Sequence, residues 1–342
     1  MSIRISTLLF SLCFLLSIIA VRAQDDGSYK LPPKAIADML LARPSPNVIM
    51  DDKGEWMLLT DISLYPSVEE LARPELKIAG LRINPRNYAP SRQNFISNIR
   101  LKNIHTGLDY TITGLPSPLF AGNINWSPDN KKIAFTQTTK DRVDLYVIDV
   151  STRKSTKVNK NALNVLIGNY QWLDNQSLLY RIATRPSADA PSRPLMPKGP
   201  TTQENTGKAS PRPTFQDMIK SPYDEQLFEF YATAQLVKNV NGAETRIGQP
   251  DMLGGLSLSP DKKYMLVRRI RKPFSYLVPV QGFPATVSIT DLNGKTVKVL
   301  AELPSRSLEL LGLMRQELKR YKGAFDFYST PFPQPLLALL HT

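Results

Sequence analysis

The stretch NWSPDNKKIAF, residues 125–135, contains a Ser-Pro-Asp corner that returns 132 positions later in LSLSPDKKYMLV, residues 256–267. In both places an apolar run follows the polar corner directly. An aspartate at such a corner can accept hydrogen bonds from backbone amides one or two residues on, and a preceding proline fixes φ for the turn. The phrase therefore predicts a β-hairpin corner that the chain uses more than once.

Two further segments follow the same pattern with less identity. They are IMDDKGEWMLLT (49–60) and YQWLDNQSLLYRI (170–182), with corner aspartates Asp51 and Asp174. Each runs from a short apolar strand through the corner into a second strand of alternating or continuous apolar character. We interpret the four segments as one structural repeat.

The spacing of the repeats indicates a β-propeller. Asp129 and Asp174 are 45 residues apart, which fits one four-stranded blade of about 40–45 residues. Longer intervals on either side would hold two blades, or one blade and an insertion. Asn-Gly pairs at 241–242 and 293–294 predict two more hairpin turns. The predicted fold is all-β: a partial β-propeller of four-stranded antiparallel blades over residues 24–304.

Two segments depart from this pattern. Residues 184–213 contain seven prolines and few large apolar residues, so we expect a surface insertion. From residue 305 to 342 the sequence predicts a short helical tail, because Leu311, Met314, Leu318 and Tyr321 share one helical face.

The N-terminus resembles a secretory signal over residues 1–23. Arg4 precedes an apolar core from Leu8 to Ala20, and small residues stand before Gln24. We therefore expect an exported protein, periplasmic or extracellular, with no membrane span once the signal is removed. Removal takes away the only cysteine, Cys13, and changes the net charge from +13 to +11. The cations are scattered along the chain, so the charge favours solubility over nucleic-acid binding.

The sequence predicts no catalytic, cofactor or metal site. Its two histidines are His105, in a Thr-Gly turn, and His341, the penultimate residue. No G-x-S-x-G motif or phosphate-binding glycine loop occurs. Zinc and iron lack a ligand set, whereas calcium binding through the paired acids at 51–52 and 69–70 stays open.

The most distinctive string is RRIRKPFSYLVPVQGFP, residues 268–284. Its cations precede aromatic residues, a combination that could hold a peptide or its carboxylate. Arg268, Arg271 and Tyr276 are the candidate peptide contacts. The alternative is a strand edge whose charges oppose aggregation.

Several strings resemble the glutamyl endopeptidase-like branch of the prolyl oligopeptidase family of serine peptidases. They lie between residues 30 and 304: GLRINP (80–85), NWSPDNKKIAF, GPTTQENTGKASPRPTFQDMIKSPYDEQLFEFYATAQL (199–236), SPDKKYMLVRRIRKPFSYLVP (259–279) and FPATVSITDLNGK (283–295). The resemblance implies an exported peptidase in which an N-terminal propeller screens peptide substrates for a C-terminal α/β-hydrolase domain.

The resemblance ends before a hydrolase domain would begin. No catalytic residue of the family can be assigned to a position here, and residues 305–342 do not resemble what should follow. We therefore expect a truncated chain, inactive on its own, that results from a premature end or a change of reading frame after residue 304; a genuine different C-terminus is the other interpretation. The alternative is a stand-alone periplasmic propeller that binds peptides or a partner protein.

Overall fold

The computed structural model describes residues 32–194, apart from 43, 64 and 67, and residues 215–306. The predicted signal at 1–23, residues 195–213 of the predicted insertion and residues 307–342 of the predicted tail lie outside this part, as does His341. The chain divides into two compact units, residues 1–45 and 46–342. In the first, helix α1 spans Lys34–Leu41. Everything below concerns the second.

Four antiparallel meanders of four strands each make up most of the second unit, and we call them blades 1 to 4. Blade 1 contains β1 (Asn47–Met50), β2 (Trp56–Ile62), β6 (Ile96–Asn103) and β7 (Asp109–Thr111). Blade 2 contains β8 (Ala121–Trp126), β9 (Lys132–Thr138), β10 (Val143–Asp149) and β11 (Lys154–Lys157). The predicted all-β fold with four-stranded antiparallel blades is confirmed.

Blades 3 and 4 share a strand. Blade 3 contains β12 (Gln171–Trp172), β13 (Ser177–Ala183), β14 (Thr233–Val240) and the first part of β15 (Ala243–Leu258). The last part of β15, from Leu253, pairs instead with β16 (Tyr264–Ile270), which is followed by β17 (Ala285–Asp291) and β18 (Thr296–Leu303). The outermost strand of blade 3 thus continues directly into the first strand of blade 4.

The two long intervals of the repeat each hold one blade and an insertion. In blade 1 the insertion carries helix α2 (Val68–Leu71) and a small sheet of β3 (Leu76–Ile78), β4 (Leu81–Asn84) and β5 (Ala89–Pro90). In blade 3 it lies between β13 and β14 and ends in helix α3 (Pro222–Ala232). Short 3-10 turns occur at Ser187–Asp189 and Val280–Gly282.

Helix α3 was missed by the sequence reading, although its start signal is present. The Ser221 hydroxyl accepts a hydrogen bond from the Asp224 amide, Pro222 takes the first helical position, and acids occupy the first turn. These features favour a helix N-terminus. The helix buries Phe228, whose ring contacts Phe274 and Phe283 in the largest apolar cluster.

The Ser-Pro-Asp corners of blades 2 and 4 have the same hydrogen bonds. The Ser127 hydroxyl donates to Asp129 at 2.7 Å and accepts from the Lys132 amide at 2.9 Å. In blade 4 Ser259 donates to Asp261 at 2.6 Å and accepts from the Tyr264 amide at 3.0 Å. The predicted repeated corner is confirmed.

Consecutive blades pack face to face, with one apolar cluster at each junction. Leu58 of blade 1 meets Phe135 of blade 2, Leu145 of blade 2 shares a cluster with Tyr180 of blade 3, and Leu179 of blade 3 shares one with Met265 of blade 4. Burial of these faces is the main driving force for stacking the sheets. Among the helices of the described ranges, none is long and apolar enough to cross a membrane.

Asn-Gly behaves differently in the two predicted turns. Asn241 and Gly242 both have positive φ, 50° and 93°, and form the two-residue turn between Val240 and Ala243. At the second pair only Gly294 has positive φ, and the Asp291 amide donates to the Lys295 carbonyl, which makes a three-residue loop. The hairpin is where the sequence predicts it, but its turn is one residue longer.

Candidate functional site

The predicted peptide-contacting arginines lie near the end of β16, and both have partners within the fold. Arg268 Nη2 donates to the carbonyls of Phe283 at 2.9 Å and Gln281 at 3.2 Å. Burial and the neighbouring charge of Arg306 lower the pKa of Arg268 to about 10. The guanidinium of Arg271 makes two 3.0 Å contacts with the Asp251 carboxylate.

Tyr276 lies apart from this pair, at the side of helix α3. Its side chain is 40% exposed. Burial, a hydrogen bond with Glu225, and the charges of Glu225 and Asp224 raise its pKa to about 12. The structure gives Arg268, Arg271 and Tyr276 three different sets of neighbours, so it does not bring them together around one ligand. Their contact with peptide stays a prediction.

A different set of polar residues appears when the blades are superposed by their strand pairing. The second strand of every blade, namely β2, β9, β13 and β16, is seven residues long. Its fifth residue is polar in all four, and we call this set the fifth-position layer: Thr60, Thr136, Arg181 and Arg268. Thr60, Thr136 and Arg181 are buried. Blades 1 and 2 therefore carry threonine where blades 3 and 4 carry arginine.

Glycines in or just before the first strands of blades 2, 3 and 4 lie against the side chains of this layer. A Cβ added to Gly168 would approach Arg181 Nη1 to 2.4 Å, and one added to Gly254 would approach Arg268 Nη1 to 2.6 Å. In blade 2 the corresponding contact, from Gly122 to Thr136 Oγ1, would be an ordinary 3.4 Å. In their observed conformations the two guanidinium groups thus occupy space that a side chain at Gly168 or Gly254 would take.

Side-chain hydrogen bonds join the first strands of neighbouring blades. Asn123 of blade 2 and Asn169, just before β12, exchange two amide hydrogen bonds of 2.9 and 2.7 Å. The Tyr170 hydroxyl donates to the Ala134 carbonyl, and burial raises its pKa. Gln171 Nε2 in turn donates to the Leu256 carbonyl of blade 4 at 2.9 Å. The first strands β8, β12 and the end of β15 therefore lie side by side.

Arg181 is the unusual member of the layer. It follows Leu179 by two residues, so its side chain lies on the face of blade 3 that packs against blade 4. It is only 6% exposed, and burial alone lowers its pKa to about 10. Within the described ranges no side chain or carbonyl accepts a hydrogen bond from its guanidinium, and Nε is fully enclosed. Sequence reasoning missed this residue because the strand that carries it looks purely apolar around it.

A concave polar region of about 380 Å³ lies beside the blade 1 insertion. One of its acids, Glu75, already has three partners: it accepts from the Ser91 hydroxyl at 2.5 Å, and it lies 3.1 Å from Arg92 Nε and 3.8 Å from Lys77 Nζ. The charged groups of this region are therefore bound to one another, which does not favour it as a ligand-binding site.

The described residues contain one imidazole, that of His105. His105 is exposed in the hairpin turn between β6 and β7, as the sequence predicts. In the same part of the chain, no three His, Cys, Asp or Glu side chains come together as a metal site would need.

Comparison with known proteins identifies two similar plant sequences. Over 291 residues the chain is 30% identical to the probable chloroplastic glutamyl endopeptidase of Oryza sativa subsp. japonica, covering 81% of this chain and 31% of that protein. The corresponding Arabidopsis thaliana protein is 32% identical over 310 residues, covering 84% and 32%. This chain thus spans about a third of the length of these curated relatives. No protein-family model matches it.

Among solved structures, the acylaminoacyl peptidase of Pyrococcus horikoshii is similar to 78% of this chain and 34% of its own. The sequences are 15% identical and the TM-score is 0.42.

Proposed function

The chain is a relative of the glutamyl endopeptidases of the prolyl oligopeptidase family, and on that premise we propose that it forms the peptide-screening propeller part of a serine peptidase. The proposal rests on one observation, the 30–32% identity that extends over more than four fifths of the chain. A similarity of that length involves the blades and not merely one motif.

The geometry of the blades supports a binding role. Side-chain hydrogen bonds hold the first strands of blades 2, 3 and 4 side by side, and a peptide that follows these strands would meet backbone carbonyls and amides. Such groups bind peptide backbone without demanding a particular side chain. Screening peptides by size and charge requires only such backbone contacts and a surface of suitable shape and charge.

We further propose that the described residues do not cut peptides themselves. A serine nucleophile needs a base within hydrogen-bond reach, and the imidazole of the described part, His105, is exposed on a turn. Bond cleavage would then depend on a separate hydrolase domain, which is what the family resemblance implies.

Binding and cleavage can be measured separately on the purified full chain. We expect a short fluorescein-labelled peptide, capped at both ends and containing one glutamate, to bind in fluorescence anisotropy and to stay intact by mass spectrometry. A fluorophosphonate probe should label no serine. Absence of binding would refute the screening role, and cleavage together with serine labelling would refute the inactivity of the chain. Heat-unfolded chain is the control for nonspecific binding.

Export is a separate proposal, supported by the charge and hydropathy of residues 1–23. N-terminal sequencing of the chain recovered from a periplasmic extract should begin at Gln24. A chain recovered from the cytosol with Met1 intact would contradict export.

A further inference from the structure

We propose that Arg181, at the junction of blades 3 and 4, is a binding site for a carboxylate group of the peptides that the chain screens. This inference rests on the proposed function and adds to it a residue and a ligand chemistry. Its starting point is the contrast within the fifth-position layer: two blades fill the position with threonine, and a third buries an arginine there.

A buried guanidinium without a partner is costly. In proteins, the free-energy cost of removing a charged group from water is offset by an opposite charge or by hydrogen bonds to the charged group. The other arginines near this junction follow that rule. Arg269 donates to Ser288 at 2.6 Å and lies 3.5 Å from Asp251, and Arg271 is paired with the same carboxylate. Arg181 has no such acceptor in the described ranges.

The geometry around Arg181 leaves one direction of approach. Nε is enclosed, so a ligand cannot bind along the side of the guanidinium. The two terminal nitrogens lie beside Gly168, which has no side chain to cover them. Two parallel N–H groups match the two oxygens of a carboxylate, and charge-assisted pairs of this kind are among the strong hydrogen bonds in proteins. An end-on carboxylate is therefore the ligand that fits.

Arg268 supports the same choice of ligand. It occupies the equivalent position in blade 4, its Nη1 lies beside Gly254, and its Nη2 is held by two carbonyls. Arg306 adds a second cation next to it. A peptide along the first strands thus meets positive charge on two consecutive blades, which favours an acidic side chain and disfavours a basic one.

Isothermal titration of the full chain with two matched peptides tests the site. Both are short and capped, and they differ only in a central glutamate or glutamine. We expect the glutamate peptide to bind at least about tenfold more tightly. Arg181→Met should remove this preference and leave the affinity for the glutamine peptide unchanged. Arg181→Lys, which retains charge but not the paired N–H groups, should keep only part of it.

Arg246→Met is the matched control, because Arg246 is an exposed arginine of the same blade and its loss changes the net charge equally. It should leave both affinities unchanged. Equal binding of the two peptides by the unmodified chain would overturn the carboxylate site and leave the screening role standing. Failure to bind either peptide would overturn both. Because the unmodified chain alone gives this result, a variant that fails to fold does not obscure it.

Discussion

Blades 2 and 4 are alike at the corner between their first two strands and different at the fifth position of the second strand. At the corner, serine and aspartate repeat the same hydrogen bonds within 0.1 Å of each other. Seven residues beyond the aspartate, blade 2 has a buried threonine that donates to the Gly122 carbonyl at 3.0 Å, and blade 4 has an arginine. The corner bonds are therefore the same in the two blades, whereas the residue at the fifth position differs in size and charge.

The largest effect should come from making blade 2 resemble blade 3. Thr136→Arg would place a guanidinium at a buried position whose neighbours are Gly122 and Asn123. With no carboxylate near it, we expect a loss of more than about 3 kcal/mol in the free energy of unfolding. Urea denaturation followed by circular dichroism measures it. Thr136→Ser, which keeps the hydroxyl, is the control, and an unchanged midpoint for Thr136→Arg would show that the layer accepts arginine in any blade.

The corners should respond equally to the same substitution. Ser127→Ala and Ser259→Ala each remove a donor to aspartate and an acceptor for a backbone amide from a buried position. Each should lower the free energy of unfolding by about 1–2 kcal/mol. Ser151→Ala, in the exposed turn after β10, should change it by less than about 0.5 kcal/mol. If the two corner variants lost clearly different amounts of unfolding free energy, the same hydrogen-bond geometry would not contribute the same stability in the two blades.

Replacing an arginine that has partners and replacing one that has none should change the free energy of unfolding in opposite directions. Arg269→Met removes the donor to Ser288 and Thr290 and one of the two arginines that contact Asp251, so we expect destabilisation by about 1–2 kcal/mol. Arg181→Met replaces an uncompensated buried cation with an apolar side chain and should be neutral or stabilising by about 1 kcal/mol. Thermal unfolding of both variants compares them. Destabilisation by Arg181→Met equal to that of Arg269→Met would indicate that Arg181 already has a partner.

The smallest expected effect is on the stability of the protein at low pH. The hydrogen bond from Ser259, together with one from the Lys263 amide, holds the pKa of Asp261 below its ordinary value. A lowered folded-state pKa adds stability above the unfolded value near about 4, and this stability is lost as the pH falls through the folded pKa. Asp261→Asn should therefore reduce the loss of stability between neutral pH and about pH 3. A pH series of unfolding midpoints would contradict this if the two curves ran parallel.

The repeated corner and the blade architecture could be predicted from sequence because they depend on local chemistry. Asp, Pro and Gly specify turns within a few residues, and apolar alternation specifies strands. Residues Asn241 and Gly242 show how local that information is, since their turn has the predicted form. The start of helix α3 is equally local, since Ser221, Pro222 and Asp224 specify a helix N-terminus. No helix was predicted there because the helix follows a proline-rich segment that favours loop structure.

Arg181 could not be recognised in this way. Its strand, SLLYRIA, gives no sign that the arginine lacks a partner, because that depends on which residues of blade 4 and of the segment before β12 lie around it. The candidates predicted from sequence were Arg268, Arg271 and Tyr276, and the structure gives Arg271 a partner that it shares with Arg269, the carboxylate of Asp251. Arg181 and Arg268 each follow the aspartate of their corner by seven residues, so the sequence shows that their positions are equivalent but not which partners they have.

The most direct test of a carboxylate site in the fifth-position layer is arginine-selective NMR of the full chain during titration with the glutamate peptide. The Nη signals of Arg181, assigned by their loss in Arg181→Lys, should shift and become protected from exchange as peptide binds, and the glutamine peptide should leave them in place. Arg181 signals that do not respond while the peptide binds would contradict the account.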